Sequence, residues 1–207
     1  MQDLSSKELY MMNGGQKLYI YKDGFGDIYK ATPSEEEQWA TEVIAIALLK
    51  IDTATNRTEL QFAIADLVYH HYGNTEELLL KYINDANPVR QIVFASILWN
   101  MIGYEKSFDI IKKNLLQKRS ECVSDVFLGL NDFKTHVAAR QFLINCLEGG
   151  DDELTTRAQY TIVGWAWSGM PILKEDNLLE QLKFENRNLP TFKTAIRKLK
   201  QILNVVT

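Results

Sequence analysis

The chain has 207 residues, 46% hydrophobic and 24% charged, an ordinary globular balance, and it is long enough to bury a core without metals or disulfides. Its formal charge of -4 and pI near 5.5 argue against a nucleic-acid-binding body, which needs clustered Lys and Arg to displace counterions from phosphates. Cys122 and Cys146 lie 24 residues apart without a CxxC, so reduced buried thiols are expected, with neither a zinc site nor a redox motif.

The opening residues, MQDLSSKELYMMNGG, lack the basic flank and apolar run of a signal peptide. No apolar stretch approaches the roughly 18 residues that a membrane helix needs, so a cytoplasmic protein without membrane insertion is expected. In QKLYIYKDGFGDIYKAT, Lys17 to Tyr21 and Asp27 to Lys30 are rich in Tyr and Ile and flank glycines suited to a tight turn. That pattern predicts a short β-hairpin packed on the first helices. The domain reading is an N-terminal segment, 1–32, followed by a helical array, 33–207.

From Thr32 onward the pattern is helical. Thr32 is placed to cap, Pro33 sits in the first turn, and Glu35, Glu36 and Glu37 complement the helix dipole. Further helices are predicted over 57–72, 75–84, 88–102, 105–117, 121–130, 134–147, 152–167, 172–184 and 190–205, with Gly and Asn at most junctions. Leu60, Ile64, Leu67 and Val68 recur at helical spacing in one of them, and Phe108, Ile111 and Leu115 in another, which makes both sets core-facing stripes. The last helix sets Lys193, Arg197 and Lys200 opposite Ile196, Leu199 and Leu203, the pattern of a polar-faced cap on a helical array or of a basic amphipathic helix that binds membranes or acidic partners.

The chain repeats itself imperfectly. Laying QFAIADLVYHHYG over QIVFASILWNMIG aligns Gln61 with Gln91, Ala65 with Ala95, Tyr69 with Trp99 and Gly73 with Gly103, an offset of 30 residues. Each such unit is a very apolar helix followed by a shorter amphipathic one, which must stack on neighbours to bury its face. The stretch DANPVRQIVFASIL, with Asp85 in a turn, Pro88 at a helix start and the Val89-Arg90 pair behind it, resembles the HEAT-repeat family over residues 57 to 185. The resemblance implies an all-α fold, a right-handed α-α superhelix of about four to five helix pairs. It also implies a structural ladder through Asp85 and Arg90, with Arg157 as a counterpart.

Few residues point to chemistry. His70 and His71 are adjacent, so on a helix they diverge by about 100 degrees and share no ligand face. His136 stands alone and reads as a surface helix residue. DGFGD lacks the Lys-Ser/Thr of a phosphate loop, and GGDDELTTR lacks the alternation of a calcium loop, so Asp151 or Asp152 reads as a helix cap. Trp165 and Trp167, two positions apart, serve opposite helix faces, so one of them is expected near the surface or facing a further helix, either packed there or as an interaction anchor, and Tyr69 and Tyr72 form a second aromatic pair.

The function expected is a non-enzymatic interaction module that holds a protein partner on the concave face of a helical solenoid, with no cofactor and no metal. By position, that face includes Glu77, Lys81, Asp109, Lys113, His136 and Arg140, with Trp167 as an anchor. One rival is an immunity protein that occludes a toxin. The enzymatic rival is a HEAT-like DNA glycosylase using Trp165, Trp167 and Asp152, which the acidic balance disfavours.

Overall fold

A computed structural model of the chain describes residues 4–85, 87–174 and 177–205. The described residues are all-helical, with eleven α-helices, three short 3-10 turns and no strand. The chain divides into two compact units, Met1–Arg90 and Gln91–Thr207.

In the first unit α1 (Ser6–Met12) begins at a capping box, in which Glu8 N donates to Ser5 Oγ and Glu8 Oε2 accepts from Ser5 N at 2.7 Å. It ends at Gly14 and Gly15, both at positive φ, where Gly15 N reaches back to Tyr10 O at 2.8 Å. The expected hairpin is replaced by α2 (Lys17–Lys22) and an irregular segment. A strand would put Leu18 and Ile20 on one face, yet Ile20 is buried and Leu18 exposed. Ile20 joins Leu9, Tyr10, Tyr29, Trp39 and Val43 in a small core. Gly24, read as a hairpin turn, instead terminates α2: Gly24 N donates to Tyr21 O and Phe25 N to Ile20 O, the bond pair of a Schellman motif.

Helix α3 (Pro33–Thr53) carries the Thr32–Glu35 capping box and packs along α4 (Arg57–Tyr69), which Asn56 caps. Leu60, Ile64 and Leu67 are buried as the stripe predicts, whereas Val68 lies at the edge and is exposed. Helix α4 also receives the α1–α2 loop. Gly14 O accepts from His70 Nε2 at 2.8 Å, and the Gly14 backbone lies so close to Asp66 that a Cβ would meet its carboxylate at 2.0 Å.

Helix α5 (Thr75–Tyr82) leads to the turn before α6 (Pro88–Ile102). There Asp85 Oδ1 accepts from Asn87 N at 2.8 Å, and Asn87 Oδ1 accepts from Val89 N at 2.9 Å, so Asn87 caps α6 and Pro88 fills its first position. Arg90 is 5% exposed. Its Nε donates to Asp85 Oδ2 at 2.8 Å, and its two terminal nitrogens donate to the carbonyls of Ile51 and Ala54 at the end of α3.

In the second unit the helices expected over 105–117 and 121–130 are present as the two segments of α7 (Ser107–Leu130), separated by a kink at Lys118, where φ is -136 and ψ 36. Directly after the break, Arg119 forks onto Asp151 at 2.7 and 2.9 Å and onto Glu153 at 2.8 Å. Asp151 also caps α9 (Asp152–Trp167) through Leu154 N, and the guanidinium holds its carboxyl down at about 2. Where α6 and α7 approach closely, a Cβ on Gly129 would lie 2.8 Å from Ser96 Oγ and 3.0 Å from Ile92.

Helix α8 (Val137–Glu148) packs on α9, and α10 (Leu178–Gln181) on α11 (Pro190–Ile202). The helix expected over 172–184 divides into a 3-10 turn, α10 and a second 3-10 turn, with residues 175 and 176 outside the described residues. One core joins Ile92, Phe108, Phe133, Leu143, Trp165 and Leu199, and both cysteines are free and buried within it. No helix among the described residues is long and apolar enough to cross a membrane.

Truncating Arg90 removes the donor to Asp85 Oδ2 and to two carbonyls at the end of α3. Arg90→Ala is expected to lower unfolding free energy by about 3 kcal/mol or more, and Arg90→Lys, which lacks the fork, by a smaller amount. Urea denaturation measures both, and an unchanged midpoint for Arg90→Ala would show that the buried clamp contributes nothing to stability.

Candidate functional site

Helix α9 separates its two tryptophans cleanly. Trp165 is 0% exposed and its Nε1 donates to Leu130 O at 3.1 Å, closing the end of α7. Trp167 points the other way and is 75% exposed, and Tyr160, seven residues earlier and so on the same face, is 71% exposed. Val163 and Gly164 lie between them on that stripe, both half-buried. Tyr160 also borders an apolar cleft of about 420 Å³, whose walls include Leu147, Val163, Leu179, Leu182 and Phe184. The aromatic stripe and this cleft form one apolar surface on the second unit.

The other candidate residues have separate fates. Glu77 and Lys81 are exposed on α5, and Asp109 and Lys113 are exposed on α7. Arg140 is committed to the fold: its Nε donates to Lys134 O at 2.6 Å and one terminal nitrogen to Leu203 O at 3.0 Å, satisfying the end of α11. Arg157 is half-buried on α9, while Asp85 and Arg90 belong to the clamp in the first unit. Of the second aromatic pair, Tyr69 is exposed and packs edge-on against His70, and Tyr72 is half-buried.

His136 is not a surface helix residue. It is the N-cap of α8, with Nδ1 accepting from Ala139 N at 3.2 Å, and its side chain is 10% exposed among the rings of Trp99, Phe108 and Phe133. The capping bond requires an unprotonated Nδ1, which leaves the proton on Nε2, 3.7 Å from Glu105 Oε2. Sequence reasoning missed this role because His is an uncommon cap. The helix-start position before VAARQF was the available signal.

Among the described residues no group of three or more His, Cys, Asp or Glu is arranged to hold a metal ion. The chain matches no family model, no curated protein and no solved structure.

Burial pushes the His136 pKa below the ordinary value of 6.5, against the opposing pull of Glu105 and Asp109. The unfolded chain therefore binds this proton more readily than the folded one. The His136 contribution to stability is complete above about 6.5 and is lost as pH falls from there through the folded value, levelling off below it. His136→Asn retains a capping oxygen but cannot titrate, so its melting temperature should fall less steeply between pH 7 and 5 than that of wild type. Parallel curves for the two proteins would assign the acid sensitivity to other groups.

Proposed function

We propose that the chain is a non-enzymatic protein-interaction module built, as its resemblance to HEAT repeats implies, from stacked helix pairs, and that the exposed face of α9 anchors its partner. The observation that carries this reading is the pairing of Tyr160 and Trp167, 71% and 75% exposed, on one stripe beside an apolar cleft. Each aromatic side chain could bury roughly 150–250 Å², so leaving both in water forgoes stabilisation that the core would have gained. Large aromatic side chains beside an apolar pocket are the residue types and setting of binding hot spots. In the same helix, Trp165 and Ile162 face the core, so the outer stripe is not a shortage of room inside.

The test is crosslinking in cells that make the chain, comparing wild type, Tyr160→Ala/Trp167→Ala and Leu116→Ala, the last removing an exposed apolar side chain on α7. The double variant should keep the wild-type melting temperature and lose its crosslinked partner, with affinity lowered by about 2 kcal/mol or more, roughly 30-fold. Leu116→Ala should behave as wild type. A folded double variant that crosslinks as well as wild type would remove α9 as the anchor.

A further inference from the structure

The last 22 residues, 186–207, contain five cations and no acid, in a chain whose net charge is -4. Residues 186–202 form α11 and the segment leading into it, and a second cleft of the unit lies there, about 650 Å³ in volume. Leu147, Phe192 and Ile196 line it alongside Lys193 and Arg197, which sit one helical turn apart. The other charges around it are already matched: Glu148 pairs with Lys200 at 2.8 Å, and Arg187 pairs with Asp152. Lys193 and Arg197 make no ion pair among the described residues, and Arg197 bonds only the Thr194 hydroxyl, at 3.1 Å. The cleft therefore joins two uncompensated cations to an apolar floor.

We infer that this cleft binds an acidic peptide segment of the protein partner, with one apolar side chain on the floor and flanking carboxylates on Lys193 and Arg197. The inference rests on the reading of the chain as a protein-binding module. A membrane surface is the poorer fit because an interfacial helix needs a free apolar face, whereas Phe192, Ala195, Ile196 and Leu199 of α11 are all buried in the core. Its exposed positions are Pro190, Thr191, Lys193, Thr194, Arg197, Lys198 and Gln201, which together form no apolar face to insert into a lipid layer. Nucleic acid is also the poorer fit, since two uncompensated cations neutralise few phosphates. A carboxylate-rich peptide meets the same two charges and, unlike a phosphate backbone, brings a side chain for the apolar floor.

The experiment is fluorescence anisotropy of the purified full chain with a labelled peptide in which phenylalanine is flanked on both sides by glutamates. Controls replace the glutamates by glutamines, or the phenylalanine by glycine. The glutamate–phenylalanine peptide should bind, weaken as salt is raised, and bind about tenfold less tightly when either control change is made. Lys193→Glu/Arg197→Glu should abolish binding while circular dichroism shows an unchanged melting temperature, because both side chains are exposed. If the double reversal melts early, Lys193→Gln and Arg197→Gln singly should each still weaken binding. Absent binding, equal binding of the glutamine peptide, or binding unmoved by the charge changes would overturn the inference. So would tighter binding to vesicles of anionic lipid or to single-stranded DNA, if the same charge changes abolished it. Because the titration uses neither Tyr160 nor Trp167, its failure with crosslinking at α9 intact would remove this cleft and leave the interaction module standing.

Discussion

Arg90 sets one forked cation where two helix-end carbonyls and a carboxylate converge, and the first unit depends on that convergence. A guanidinium that is nearly fully buried costs several kcal/mol in lost hydration unless its donors are all met. Here each of the three nitrogens donates, to Asp85, Ile51 and Ala54, so the end of α3, the turn after α5 and the start of α6 are held by one side chain. The same requirement recurs in the second unit with other donors. Arg140 serves the end of α11, Lys134 donates to Ser168 O at the end of α9, and the indoles of Trp99 and Trp165 donate to Asp132 O and Leu130 O near the end of α7. A fold made of many short helices has many orphan carbonyls, and several of its most conspicuous polar side chains are occupied by them.

Helix starts were the most legible part of the sequence because their chemistry is local. Thr32 with Glu35, Pro33, Pro88, Pro190 and Asp151 each act within one turn, and the structure uses each at a helix start. Ser5 with Glu8 carries the same signature and could have been read; the Tyr- and Ile-rich segment after it drew the reading toward strands instead. That segment is short, and its side-chain types suit either structure, so only the burial of Ile20 on a helical turn decides the matter. The break at Lys118 was legible as a helix end, and Phe127 and Leu130 of the segment after it pack into the core. Arg140 and the burial of His136 were illegible because Arg140 closes on Leu203 and His136 packs against Trp99 and Phe108, partners far off in sequence.

Once the side chains that close helix ends are set aside, the candidate site contracts. Of the positions that spacing alone nominated on the second unit, Arg140 and His136 are occupied within the fold, while Asp109, Lys113 and Trp167 remain open to solvent. Tyr160 was not nominated, although its seven-residue spacing from Trp167 places it on the same face by helix geometry alone. The omission came from pairing Trp167 with its neighbour Trp165 rather than with the residue two turns back. What distinguishes the surviving surface is apolar area left uncovered next to a concavity, a property of packing rather than of any motif.

The aromatic stripe and the cationic cleft are adjacent but physically separable. Leu147 contributes to both clefts, and Arg187 lies between them, its guanidinium 4.6 Å over the Phe184 ring and paired with Asp152. Lys183, the cation that lines the apolar cleft, pairs with Glu180 at 2.7 Å, so the cleft beside Tyr160 presents no uncompensated cation to a ligand. Lys193 and Arg197, on α11, line the second cleft and not the first. Changing their charge alters the potential of one cleft while leaving the aromatic anchor and its apolar walls in place. A partner that used both would draw its apolar contact energy from α9 and its charge selectivity from α11, two contributions that act through different physics and respond differently to salt.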